Sequence, residues 1–353
     1  MIWRGRRRRF AVLSEASATI FLWTSGVGAI WFVLPNLAEK LSGSLAYVGL
    51  LLSLPALIAF LVDIPLGDLC DRADKKKIIL LGLFLMFFLG FFLREVDSLS
   101  ELVLFLVLLG VLHPIMYVAT TAYVIEASPK KYSASFLGTY TSFIHLGFSV
   151  GALAGGFLIA DALIENIGRI AGLYSIACVA AGLLALTLRK SGRQTITGGF
   201  CSVIRDDKVF VKELRDFRKL GFTGAAVIAM SFLFSTFDGI VWTLEPLLYQ
   251  ELSLKSVEGG VILAAFVVPL ILFEAPAGYL ADRIGKRRVL AAGLFVAGFF
   301  AVLFSSAEGF WYLLACAFMA TTGLSVAWPA TEGILAEHTR KSESGGFSGV
   351  LRT

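Results

Sequence analysis

Gly67-Asp68-Leu69-Cys70-Asp71-Arg72-Ala73-Asp74-Lys75-Lys76-Lys77 is a polar stretch set between two long apolar ones. It returns as Gly278-Tyr279-Leu280-Ala281-Asp282-Arg283-Ile284-Gly285-Lys286-Arg287-Arg288. The copies lie 211 residues apart, and Gly67, Leu69, Asp71, Arg72 and Lys75 match Gly278, Leu280, Asp282, Arg283 and Lys286. The offset holds outward without a gap. Trp31 pairs with Trp242, Pro35 with Pro246, Gly49 with Gly260, Pro65 with Pro276 and Asp63 with Glu274. Further on, Glu126 pairs with Glu337, Phe136 with Phe347 and Gly138 with Gly349. Leu and Ala match by chance in apolar sequence, whereas Trp, Pro, Gly, Asp and Arg at one constant offset mark a duplicated unit.

The flanks of the two copies set the class. Hydrophobic residues make up 57% of the 353, charged residues only 16%, and the mean hydropathy is +0.81. A soluble domain carries about a quarter charged residues. The apolar runs reach the ~20 residues that cross a bilayer as a helix, and in lipid the backbone must bond within itself. An all-α polytopic membrane protein is therefore expected. Helices are predicted over 11–35, 46–66, 78–93, 102–126, 134–160, 170–188, 221–248, 257–277, 289–306 and 311–336, with the motif as a loop between helices 2 and 3 and again between 8 and 9. Residues 1–188 form a six-helix half, 189–219 a basic connector and 220–353 an incomplete second half. At the constant offset Thr353 corresponds to residue 142, so Gly345 onward begins an eleventh helix.

Charge fixes an expected orientation. Of the 31 Lys and Arg, 26 fall at the N-terminus, in the motif segments, around Lys130, in 189–219 and around Arg340; the opposite ends hold Lys40, Arg94, Arg169 and Lys255. By the positive-inside rule the N-terminus, motifs and connector are cytoplasmic, in a cell inner or plasma membrane. Basic residues spread over six short segments do not make a nucleic-acid surface. Within the connector Phe210, Leu214 and Phe217 at helical spacing suit an amphipathic helix on the inner leaflet. The four cysteines, Cys70, Cys178, Cys201 and Cys316, show neither a disulfide framework nor metal spacing and read as free thiols. There is no GxxxxGK[ST] loop for ATP, no nucleophile–base constellation and no metal-ligand cluster, so neither cofactor nor metal is expected and an enzyme is disfavoured.

Two halves of six helices, with Gly-x-Leu-x-Asp-Arg-x-Gly-Arg/Lys after helices 2 and 8, resemble the major facilitator superfamily. Asp74 departs from the glycine of that signature; Gly285 keeps it. The resemblance implies a conformational latch: Gly67, Asp71 and Arg72 with Glu126, and Gly278, Asp282 and Arg283 with Glu337. Asp71 is an anion for the N-terminus of helix 11 and Arg72 a partner for Glu126. Contacts that form in one state and break in the other bias a two-state equilibrium. On helix 5, Gly138, Gly147, Gly151, Gly155 and Gly156 fit the family's antiporter motif, with Ala152 in place of its proline. Their small-residue face also admits a close helix neighbour. The basic residue that the family's drug exporters carry on helix 4 is missing, because Leu106 stands there.

Ionisable groups at membrane depth are functional candidates by default. His113 and Tyr117 lie one turn apart on helix 4, His145 on helix 5, Asp238 and Trp242 one turn apart on helix 7, and Trp328 and Glu332 one turn apart on helix 10. In the family, helices 1, 4, 7 and 10 line the path. The function expected is secondary active transport of a small organic solute by alternating access, with proton-coupled efflux as its finer form. A metabolite uniporter or importer, and a non-transporting membrane sensor or inactive relative, are the alternatives. The expected partners are the solute, the lipid bilayer and protons.

Overall fold

The computed structural model describes residues 2–127, 133–159, 163–190, 221–306 and 309–338. Inside the helices some side chains, among them Asp71, Arg72, Asp282, Glu332 and Glu337, lie outside that description, as do residues 191–220 and Gly345 onward. Among the described residues the helices are α1 (Ile2–Ser42), α2 (Leu45–Arg72), α3 (Lys75–Arg94), α4 (Leu99–Ala127), α5 (Ser133–Ile159), α6 (Leu163–Ala185), α7 (Gly221–Glu251), α8 (Ser256–Ile284), α9 (Lys286–Ser305) and α10 (Phe310–His338). Nine stretches among them are long and apolar enough to span a bilayer.

Most of these helices run past their expected ends, and the largest correction falls on the motif. It is not a loop: Gly67 to Arg72 complete α2, and α3 begins at Lys75. Ala73 is extended and its N–H still bonds to the Leu69 carbonyl at 2.9 Å. Asp74 then caps α3 by accepting the Lys76 N–H at 3.2 Å. A side-chain oxygen at this place satisfies an N–H that the helix cannot. In the second copy Gly285 stands between α8 and α9 at φ 106°, with no side chain to cap. The same break is thus made by an N-cap in one copy and by a glycine-only backbone in the other. Polar sequence alone suggested a longer loop, because the helical ends project into the polar region.

The chain forms two compact units, Met1–Val203 with Thr243–Ala264, and Ile204–Trp242 with Ala265–Thr353. In the first, α1 is the central rod: 72% of its apolar window is buried, against 39% for α3. Ile20, Trp23, Ile30, Phe32 and Leu34 are all enclosed. A helix apolar all round belongs in the middle of a bundle. α5 lies closest to it. A side chain at Gly147 would strike Thr24, one at Gly151 the Ser25 carbonyl, and one at Gly28 the Phe148 carbonyl. Gly155 faces Phe32, while Gly156 meets Ser256 at the start of α8. Gly138 has open space. α3 shows Phe84, Phe88 and Phe91 outward, as a lipid-facing helix should. In the second unit α9 crosses α10 where Gly293 approaches the Gly323 carbonyl, and Ala281, Val289 and Ala330 form a small core.

Candidate functional site

In the first unit α4 begins on a capping box. Ser98 accepts the Glu101 N–H at 3.4 Å, and the Glu101 carboxylate accepts the Asp97 and Ser98 N–H groups at 2.9 Å each. From that fixed start His113 and Tyr117 turn toward Trp23 of α1. The three rings form a closed set: Trp23–His113 4.9 Å, Trp23–Tyr117 5.1 Å and His113–Tyr117 5.0 Å between centroids. Trp23 donates its indole N–H to the Met86 sulfur at 3.0 Å, which locks its orientation. His113 Nε2 is buried without a hydrogen-bond partner among the described residues. One turn further, Thr120 donates to the Met116 carbonyl, so its oxygen is left to accept from the Tyr140 phenol of α5. The result is a tray of three rings in which Trp23 is fully enclosed, with one buried nitrogen that has no hydrogen-bond partner among the described residues.

Sequence reasoning found His113 and Tyr117 but not Trp23, whose only signal was a tryptophan midway along the first apolar run. His145 is half-buried on α5, and no described ring contact joins it to this tray. Glu245 of α7 is 4% exposed, and its Oε2 has no hydrogen-bond partner among the described residues.

In the second unit Phe234, Asp238 and Trp242 fall on one stripe of α7. Trp242 donates its indole N–H to Asp238 Oδ1 at 3.2 Å, and Trp328 of α10 meets Phe234 edge to face at 4.7 Å. The one-turn spacing therefore becomes a bond in the first case. The Asp238 carboxylate is exposed on the helix surface rather than packed away. Glu332 lies outside the described side chains.

The latch candidates are only partly placed. Lys75 Nζ pairs with Glu126 Oε2 at 2.7 Å; the expected pairing with Arg72 falls on a side chain outside the description. Lys76 Nζ donates to the Leu186 carbonyl at the end of α6 at 2.6 Å, where the helix dipole favours a cation. The Arg189 N–H donates to the Tyr123 phenol at 2.9 Å. One end of α3, α4 and α6 is thereby tied by polar contacts. Arg283 is exposed with its guanidinium 4.7 Å from the Tyr279 ring centre. Cys70, expected in a loop, is buried within α2.

A helical chain with nine stretches able to span a bilayer and a repeated Asp-Arg motif has the architecture of a polytopic membrane transporter. The profile of the Major Facilitator Superfamily matches residues 16–237 and 227–353, and the chain belongs to that family. It is 23% identical over 350 residues to the uncharacterized MFS-type transporter MJ1560 of Methanocaldococcus jannaschii, covering 95% of this chain and 85% of that one. It is 24% identical over 344 residues to the quinolone resistance protein NorA of Staphylococcus aureus, covering 95% and 83%. Among solved structures it resembles a bacterial homolog of the human lysosomal transporter Spinster, with TM-score 0.74, 19% identity, and coverage of 97% and 78%. It also resembles a POT peptide transporter, with TM-score 0.72, 12% identity, and coverage of 96% and 85%.

Proposed function

We propose that this protein exports a small, partly apolar aromatic solute by alternating access, driven by the proton gradient. The observation that carries the reading is the Trp23–His113–Tyr117 tray, whose rings meet at 4.9 to 5.1 Å around a buried His113 Nε2 with no hydrogen-bond partner among the described residues. The likeness over 344 residues to a protein named for quinolone resistance supports the solute class. In this reading 1–188 and 220–353 are the moving halves, joined by the cytoplasmic connector 189–219 in the plasma membrane. The motif segments bias the two states. Asp238 carries the coupling proton: it is the acid placed well inside α7, and the ten apolar runs offer it no Lys or Arg. His113 is the second group able to exchange a proton.

The test uses protein in liposomes with a fluorescent quinolone. Asp238→Asn should abolish accumulation driven by a pH gradient while leaving counterflow intact. Trp23→Leu and Tyr117→Leu should each weaken apparent affinity by about 2- to 10-fold, the worth of an aromatic contact. Continued pH-driven accumulation by Asp238→Asn removes the coupling role. Unchanged affinity in both ring variants removes the binding role. Binding without counterflow in the wild type makes the protein a sensor.

A further inference from the structure

Between α3 and α6 of the first unit runs an open groove of about 380 Å³ that takes no part in the aromatic tray. The two helices touch at Gly90, where an added Cβ would lie 3.0 Å from Tyr174 and 3.3 Å from the Ala171 carbonyl. Beside this contact they part. Gly172 has nothing within 4 Å of an added Cβ, and Phe91, Ile176 and Leu183 stand exposed at 52%, 68% and 64%. The lining is apolar apart from Ser175 and Arg94. Arg94 is the last residue of α3, at the end of the helix opposite Lys75, and its Nε comes within 3.9 Å of a Cβ built on Gly168. The guanidinium stem thus lies across the α6 backbone at the groove's head.

We propose that this groove binds one anionic glycerophospholipid, its phosphate on Arg94 and one acyl chain along α6. The surface belongs to spanning helices, so lipid is its natural medium. From Gly168 to Leu183 the groove follows α6 for roughly 22 Å at 1.5 Å per residue. That exceeds the ~15 Å depth of one leaflet, so an acyl chain descending from a headgroup stays inside it. Arg94 gives the charge complementarity: a guanidinium offers a planar pair of donors matched to phosphate. A single cation at the interface end of an apolar channel fits a charged head on an apolar tail better than it fits a second protein helix.

The protein would be reconstituted in phosphatidylcholine vesicles containing either a diazirine-acyl phosphatidylglycerol or a diacylglycerol with the same photoreactive chain. Irradiation and peptide mapping locate the adducts. Phosphatidylglycerol should label Phe87–Arg94 and Ala171–Leu183 about fivefold more than diacylglycerol does, the worth of one Arg at a charged lipid surface. Arg94→Gln should remove that preference, and Gly172→Leu, which fills open space, should lower labelling by both lipids. Equal labelling by the two lipids in the wild type overturns the proposal. So do adducts spread evenly over all lipid-facing helices. The readout is independent of transport, so its failure leaves the export reading standing.

Discussion

Lys75 is nearly enclosed whereas Glu126 is half open, with side-chain exposures of 6% and 46%. The two ends of this ion pair therefore carry unequal risk. Removing Glu126 strands a buried ammonium, which costs about 1–3 kcal/mol, while removing Lys75 leaves a carboxylate that water already reaches. Glu126→Gln should lower the thermal midpoint in detergent by several degrees and Lys75→Met by much less. Equal shifts would show that the burial of Lys75 does not matter. At this scale the sequence was legible only in part. Glu126 stood out because an acid recurs at Glu337, and the resemblance paired it with Arg72, but nothing in the sequence marked Lys75 as reaching it. Spacing along a chain does not specify contacts across 51 positions. Asp238 and Trp242 were easier, because one helical turn brings them together whatever the rest of the bundle does.

The breaks and crossings of helices depend on single glycines, and the substitutions sort by geometry. Gly151→Val pushes a branched side chain into the Ser25 carbonyl of α1 and should cost at least the 1–3 kcal/mol typical of overpacking. Gly138→Ala, in open space, should be neutral. At the two motif breaks Asp74→Gly should cost only a few tenths of a kcal/mol, since glycine is a tolerated cap. Gly285→Asp, forced to φ 106°, should cost about 1–2 kcal/mol. Thermal unfolding of the four variants decides; a destabilised Asp74→Gly would mean that the cap carries more than its hydrogen bond. The departure at Asp74 from the family signature looks like a loss in the sequence and is an exchange of mechanisms in three dimensions. The length of the helices was harder to read, because a helix continues into the polar region wherever capping and pairing allow it.

For the whole molecule, the repeat at 211 residues and the charge asymmetry made the membrane class and family visible from composition upward. The aromatic tray was hidden, since Trp23 joins it from a helix distant in sequence. The orientation proposed from charge has a direct test. Cys201, in the basic connector, should react with a membrane-impermeant maleimide only in inverted vesicles or opened cells. Cys70 is enclosed in α2 and should stay unlabelled from both sides until the protein is denatured. Labelling of Cys201 in intact cells would reverse the topology.

The central rod α1 has a bearing on how the molecule is made. It is synthesised before every helix that will surround it. Thr19 gives its hydroxyl hydrogen to the Glu15 carbonyl, Thr24 to Ile20 and Ser25 to Phe21, each at 2.8 Å within the same helix. None of these hydroxyls waits for a neighbour. The helix that ends deepest in the bundle can therefore rest in bare lipid with these three hydroxyls already satisfied, before α5 arrives more than a hundred residues later.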